Sequence, residues 1–94
     1  RTRDAYATEH IPVAINLPHR EMNEGSVADL DRHVLYVTYC DGIGCNASTK
    51  GALKLASMGF EVKELVGGLD WWKRDGYATG GREGRAGLQF QCAC

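Results

Sequence analysis

Residues 34–58 read VLYVTYCDGIGCNASTKGALKLASM, and this stretch decides the fold. Residues 34–39 are apolar or β-branched without alternation, a pattern typical of a short strand covered on both faces of a parallel sheet. Cys40 ends that run, and a glycine-containing loop follows it. Ser48 then begins a segment in which Leu55 and Gly59 follow helical spacing. The stretch therefore predicts a strand, a cysteine loop and a helix.

The thiol of Cys40 is predicted to lie where an open α/β sheet places its ligands. Backbone N–H groups and the positive end of the helix dipole converge at that junction. A thiolate is the attacking species, and a free cysteine has a pKa of about 8.5, so such a site must favour the anion. Gly42 and Gly44 would let the loop amides curl round the sulfur. We therefore predict that Cys40 is a nucleophile.

Composition limits the possible functions. A chain of 94 residues with 44% hydrophobic and 24% charged residues fits one compact globular domain. The net charge of -1 gives no reason to expect a nucleic-acid partner. No apolar run approaches the roughly 20 residues needed to span a bilayer, and residues 1–10 lack a signal-peptide core. We therefore expect a cytoplasmic protein with no membrane, metal or cofactor requirement.

The residues before the central stretch are less informative. Residues 1–8 predict a short helix, and residues 13–16, bracketed by two prolines, predict a strand. Residues 19–31 are mostly polar and predict a connection with about one helical turn. The apolar anchors of that connection are Met22, Val27 and Leu30.

After the helix, Gly59 predicts a left-handed stop from which Phe60 folds back. Residues 61–66 predict a further strand, in which Val62 and Leu65 are the expected buried positions. A Gly-Gly turn then leads to a short amphipathic helix over residues 69–75. Its expected core anchor is Trp72 rather than a ligand-stacking Trp71, and its expected solvated face carries Lys73 and Arg74.

This order of elements predicts an α/β fold, a small parallel sheet flanked by helices on both faces. We assign the domain to residues 1–79 and expect residues 80–94 to be a flexible glycine-rich tail ending in a C-x-C pair, Cys92 and Cys94. Only three strands are predicted, which is marginal for a covered sheet. We therefore expect an N-terminal strand of the domain to lie upstream of this chain.

Three motifs in order resemble the rhodanese-like domain. The opening with Arg1, Tyr6 and the segments HIP and AINLP resembles "D-x-R…Y…GHIPGAINIP". The segment VTYC resembles the strand and active-site cysteine, and the helix ends in the expected "L…GF". The segment VGGLDWWKRDGY resembles the closing "L-x-GG-x-x-x-W…G". Arg1 would then be the arginine of "D-x-R".

The resemblance implies sulfur transfer. Cys40 would take a sulfane sulfur from a donor such as thiosulfate or another persulfide. It would then pass that sulfur to a thiophilic acceptor such as cyanide or a protein thiol. The active-site loop would consist of Asp41, Gly42, Ile43, Gly44, Cys45, Asn46, Ala47 and Ser48.

This loop departs from the family pattern. Family loops often read C-R-x-G-x-R, whereas this one is longer, lacks arginine and begins with an acidic Asp41. An acidic residue opposes a dianionic donor unless Lys50 compensates for it. Phosphatase and arsenate reductase relatives use C-x-x-x-x-x-R, but position 46 is Asn46, so oxyanion chemistry is disfavoured.

Cys45 has two readings from the sequence. It could resolve a persulfide or sulfenate on Cys40 as an internal disulfide, or it could be a small packing residue at the start of the helix. A zinc site built from Cys40, Cys45, Cys92 and Cys94 has enough ligands but lacks C-x-x-C spacing. His10 is expected to be structural rather than a base.

Two other functions remain open beside sulfur transfer. A non-catalytic rhodanese-like module that binds or regulates a partner is suggested by the missing arginine and by Asp41. A thiol redox sensor would use the pair Cys40 and Cys45. The sequence does not distinguish the oligomeric state.

Overall fold

The computed structural model of the chain describes residues 1–89. Its helices and strands are α1 (Arg3–Thr8), a single 3-10 turn (His19–Glu21), β1 (Leu35–Tyr39), α2 (Ala47–Ser57), β2 (Glu61–Leu65) and α3 (Gly68–Arg74). The predicted order of elements from the central strand onward is confirmed, as are the short first helix and the single turn after it. No helix within residues 1–89 is long and apolar enough to cross a membrane.

The sheet is small and parallel. β1 and β2 pair over five positions, from Leu35 opposite Glu61 to Tyr39 opposite Leu65. α2 connects them and packs against both strands. The predicted α/β class, a small parallel sheet with flanking helices, is therefore confirmed.

The hydrophobic core lies between α2, the sheet and the connection that precedes β1. Its fully enclosed members are Val27, Leu55 and Phe60. Partly buried side chains that pack on this cluster include Leu17, Met22, Leu30, Tyr36, Met58 and Val62. The predicted anchors of the polar connection are thus core residues, and the connection is held to α2 by them.

The end of α2 forms as the sequence predicts. Gly59 has a φ of 90°, and its N–H donates to Ala56 O while the N–H of Phe60 donates to Leu55 O. This pair of bonds is the Schellman arrangement, which glycine permits because it has no Cβ. It directs Phe60 back onto the last turn, where its ring meets that of Tyr36 edge-on at 5.6 Å.

The prediction that β1 is buried on both faces is wrong. Alternate side chains of a strand point to opposite faces, and only the face with Tyr36 and Thr38 lies under α2. On the other face Leu35 is 49% and Val37 54% exposed. Leu65 of β2, expected to be buried, is 36% exposed. An unbroken run of apolar residues therefore does not show that a strand is buried on both faces, and β1 is covered on only one face by the described residues.

The prediction of a strand over residues 13–16 is also wrong. Val13 has a φ of 65°, outside the extended region, because the chain turns there with the Ala14 N–H donating to Ile11 O. The side chains of Val13 and Ile15 are 99% and 65% exposed. Residues 13–17 and β1 instead both line a cleft of about 440 Å³.

Residues 76–89 return to the body of the domain. The N–H of Ala78 donates to Leu88 O at 2.8 Å, and that of Thr79 donates to Arg85 O at 2.9 Å. The backbone of His10 exchanges two hydrogen bonds with Gly80. The N–H groups of Arg82 and Glu83 donate to Ala7 O and Thr8 O, which joins the glycine-rich segment to the end of α1. Cys92 and Cys94, the predicted C-x-C pair, lie outside the described residues.

Candidate active site

Cys40 follows the last residue of β1 and begins the loop that leads to α2. Its side chain is buried, with 4% exposed, whereas Ile43 three residues later is 71% exposed. The loop therefore starts in the interior of the protein and emerges at its surface. Cys40 occupies the predicted junction of strand and helix.

The start of α3 holds the backbone at Cys40. The N–H of Leu69 donates to Cys40 O at 3.0 Å, and the N–H of Asp70 donates to Asp41 O at 2.8 Å. Gly68 precedes them with a φ of 60°. A Cβ on Gly68 would overlap the carbonyl oxygen of Cys40 and lie 2.9 Å from Gly42 N. Only glycine allows the two segments to approach this closely.

Arg1 neutralises the acidic residue of the loop. Its Nε donates to Asp41 Oδ1 at 2.9 Å, and its Nη1 donates to Glu9 O at 2.5 Å. The Arg1 side chain is only 8% exposed, and its guanidinium lies 5.9 Å from the centre of the Tyr39 ring. Lys50, the compensating charge expected from the sequence, is exposed on α2. Arg1 therefore supplies the positive charge beside Asp41.

Glu9, whose backbone oxygen binds Arg1, is itself held in place through its carboxylate. Its carboxylate accepts hydrogen bonds from Thr79 Oγ1 at 2.6 Å and Lys73 Nζ at 3.1 Å. Burial raises the pKa of Glu9, but these hydrogen bonds and the charges of Lys73 and Arg85 outweigh it, so the pKa lies below its usual value. Lys73 was expected on a solvated face. It is instead half-buried against Glu9, because α3 packs beside the end of α1.

Cys45 forms a disulfide with Cys40. The two Cα atoms are 6.1 Å apart, within the range that disulfides require. The N–H of Cys45 donates to Gly42 O, and Gly44 takes a φ of 97° with no atom near the position of a Cβ. The loop thus reverses between the two cysteines. Cys45 is half-buried and lies two residues before the first residue of α2.

Ser48 fixes the start of α2 on the sheet. Its Oγ donates to Glu64 Oε2 at 2.6 Å, and Thr49 Oγ1 donates to the same oxygen at 2.7 Å. Thr38 Oγ1 of β1 donates to Ser48 O. The hydrogen bonds from Ser48 and Thr49 outweigh burial and lower the pKa of Glu64. The hydroxyl of Ser48 is therefore engaged with β2.

The other predicted site residues lie in the same loop. Gly42 packs against Asp70 of α3, Asn46 caps α2 by position without a side-chain hydrogen bond, and Ala47 begins the helix. Among residues 1–89 no group of three or more His, Cys, Asp or Glu side chains is placed to hold a metal ion. The zinc hypothesis also needs Cys92 and Cys94, which lie outside that range.

Two residues outside the loop serve the structure, as the sequence predicts. His10 Nδ1 lies 2.8 Å from Tyr6 O, and its ring stacks on that of Tyr6 at 4.1 Å. Trp72 Nε1 donates to Ala78 O, and its ring packs against Tyr77. Neither ring lines the cysteine loop.

Sequence reasoning missed two contributors to the site. Arg1 is separated from Asp41 by 40 positions, so no local pattern could reveal their pairing. Gly68 was expected only to turn the chain, although it also makes room for the carbonyl of Cys40. The family motifs offered a signal for each residue. Gly68 belongs to the Gly-Gly pair of the closing motif, and Arg1 corresponds to the arginine of "D-x-R".

Comparisons with known proteins identify a family and a similar solved structure. The profile described as Rhodanese-like domain matches residues 1–75. The crystal structure of the BH2092 protein from Bacillus halodurans is similar, with 38% identity and a TM-score of 0.87. The alignment covers 99% of this chain and 68% of that one. Among curated proteins none matches the chain significantly. The chain belongs to the rhodanese-like domain family.

Proposed function

We propose that this protein is a sulfurtransferase that carries a persulfide on Cys40. The observation that carries the proposal is the position of Cys40. Its thiol lies at the end of a parallel strand and before a helix, in a loop whose backbone α3 holds with two hydrogen bonds. A fixed cysteine at this junction, in a chain of the rhodanese-like family, suits attack on a sulfane sulfur.

The proposed reaction has two displacements. The Cys40 thiolate attacks the outer sulfur of a donor such as thiosulfate, the sulfur–sulfur bond of the donor breaks, and sulfite leaves. A thiophilic acceptor, cyanide or a thiolate of a small molecule or protein, then attacks the outer sulfur of the persulfide. The Cys40 thiolate is thereby regenerated. Charge and electrons balance in both steps without a cofactor.

The loop favours the anions that this cycle needs. The first N–H groups of α2 lack acceptors within the helix and form the positive end of its dipole. Arg1 offsets the charge of Asp41, which would otherwise repel an anionic donor. These two features place positive potential beside the loop, which favours entry of an anionic donor.

The disulfide sets a condition on the proposal. In the oxidised form the Cys40 sulfur is bonded to Cys45 and buried, so it cannot attack a donor. The transferase must therefore start from the dithiol, which a reducing compartment such as the cytoplasm maintains. The same disulfide favours a second candidate function, a thiol redox sensor in which peroxide closes the pair.

Intact mass spectrometry tests the proposal. The reduced chain is incubated with thiosulfate or with glutathione persulfide, and the gain of one sulfur atom is measured. With Cys92→Ser and Cys94→Ser in every chain, we expect the gain in a Cys45→Ser variant and its absence when Cys40→Ser is added. No gain with any donor would contradict sulfur transfer and leave the redox sensor or a non-catalytic binding module. Peroxide titration of the pair then separates those two.

A further inference from the structure

We infer that Cys45 is a resolving nucleophile, which attacks the persulfide on Cys40 and releases hydrogen sulfide. This inference rests on the proposed function and adds a fate for the sulfur when no external acceptor is present. It makes the domain a two-cysteine sulfane reductase as well as a transferase.

The geometry of the loop carries the inference. The Cα atoms of Cys40 and Cys45 are 6.1 Å apart, and the two sulfurs are bonded. The reversal that brings them together is built into the backbone, through the Cys45 N–H bond to Gly42 O and the left-handed Gly44. A bond between these two sulfurs is therefore compatible with the fold of the whole domain.

The surroundings of Cys45 argue against a packing role. The core of the described residues is built on Val27, Leu55 and Phe60, and Cys45 is not a member of it. Its neighbours Ile43 and Gly44 face solvent. A half-buried thiol two residues before α2, near the free N–H groups of that helix, has the access and the positive potential that a reactive thiolate needs.

The chemistry of the step is balanced. The Cys45 thiolate attacks the inner sulfur of the persulfide, which is Sγ of Cys40. The bond between that sulfur and the outer sulfur breaks, and hydrosulfide leaves. The sulfane sulfur gains two electrons, and the two cysteines lose two electrons as they form the disulfide. A cellular dithiol then reduces the disulfide by thiol exchange and resets the pair.

The position of attack separates the two fates of the sulfur. An external acceptor attacks the outer sulfur and removes it intact. Cys45 is tethered beside the inner sulfur and can reach that atom without diffusion. Transfer should therefore dominate when an acceptor is abundant, and sulfide release when it is scarce.

The test is a single turnover of the reduced chain without added reductant. All variants carry Cys92→Ser and Cys94→Ser, so that only the loop thiols react. Glutathione persulfide is added at one equivalent, sulfide is measured with a fluorescent probe, and the mass of each chain is recorded. We expect about one sulfide per chain and formation of the Cys40–Cys45 disulfide. Once Cys40 is loaded, the rate of sulfide release should not depend on protein concentration, because the resolving step is intramolecular.

Replacement of Cys45 separates the inference from the proposed function. Cys45→Ser and Cys45→Ala should retain the persulfide and release no sulfide, whereas Cys40→Ser should give neither product. A stable persulfide in the chain with Cys45 intact, without sulfide, would overturn the inference and leave the transferase standing. Absence of the persulfide in both Cys45 variants would instead contradict the proposed function itself.

Discussion

The cysteine loop has two unlike ends. Its anchored end, Cys40 and Asp41, receives two backbone hydrogen bonds from α3 and an ion pair from Arg1. Its open end, residues 43–45, has one backbone hydrogen bond within the loop, and Gly44 has empty space around it. The backbone at the buried thiol is thus held by α3 and by Arg1, while its partner Cys45 is half-buried beside two exposed residues.

This difference suits two different tasks. A thiolate that attacks a donor must be held in a fixed place, since misplacement by about 1 Å can cost a hundredfold in rate. A resolving thiol must move away to admit the donor and return afterwards, which an exposed glycine-containing segment permits. Substitutions that weaken one end of the loop at a time can therefore separate the two tasks.

The largest effect is expected from Gly68→Ala at the anchored end. The new methyl would overlap the carbonyl of Cys40 in a backbone with a φ of 60°. Overpacking together with left-handed strain predicts a loss of about 2–4 kcal/mol in unfolding free energy. Urea denaturation of the reduced protein measures it, and persulfide loading should fall as Cys40 moves.

Gly44→Ala is the matched control for that substitution. Gly44 has a φ of 97°, but no atom lies within 4 Å of an added Cβ. Strain alone predicts a loss of about 1 kcal/mol. An equal loss in the two variants would show that the close approach of Gly68 to Cys40 adds nothing, and would contradict an anchored end.

Glu9→Gln removes the carboxylate charge that pairs with Lys73, in the residue whose backbone oxygen binds Arg1. The Glu9 pKa is lower in the folded protein than its ordinary value of 4.5. The carboxylate therefore stabilises the fold above that pH, and this stabilisation is lost as the pH falls through the folded pKa. We expect Glu9→Gln to lose about 1–2 kcal/mol at pH 7 and much less at pH 3.

Denaturation at several pH values measures this difference. Glu24→Gln, at an exposed position on the connection before β1, serves as the control. A loss that is the same at pH 3 and pH 7 would contradict a stabilising charge on Glu9.

Asp41→Asn should have a smaller effect, and on rate rather than stability. Asp41 is 70% exposed, so its ion pair with Arg1 contributes little to folding. Its removal leaves the Arg1 charge unopposed beside the loop and should speed loading from thiosulfate about threefold at low salt. Reaction with a neutral organic trisulfide, followed as loss of the free Cys40 thiol, is the control and should show no change. Slower thiosulfate loading in this variant would contradict the proposed role of Arg1.

The sequence predicted the anchored strand and helix well because local rules determine them. The apolar run before Cys40, the helical spacing after Ser48 and the glycine stop at Gly59 each have a short-range physical cause. The order of the three motifs identified the family by resemblance. The structure confirms these elements with boundaries within one residue for β1, α2 and β2.

The errors concern pairing between distant segments. Residues 13–16 have the apolar character of a strand, yet a strand also needs a partner edge, and the turn at Val13 directs the segment away from one. Two-sided burial of β1 failed for a related reason, since it depends on what covers the second face. The ion pair of Arg1 with Asp41 depends equally on tertiary structure.

Locating the added sulfur shows directly whether Cys40 is the residue that carries the persulfide. The chain with Cys92→Ser and Cys94→Ser is reduced, loaded briefly with glutathione persulfide and blocked with an alkylating agent. The loop peptide is then fragmented to show which sulfur carries the addition. Cys45→Ser is analysed in parallel, to trap the loaded form. In the Cys45→Ser chain we expect the added sulfur on Cys40. In the chain with both loop cysteines we expect either that persulfide on Cys40 or the Cys40–Cys45 disulfide. No addition on Cys40 in the Cys45→Ser chain, or an addition confined to Cys45 in the chain that retains it, would contradict a persulfide carried by Cys40.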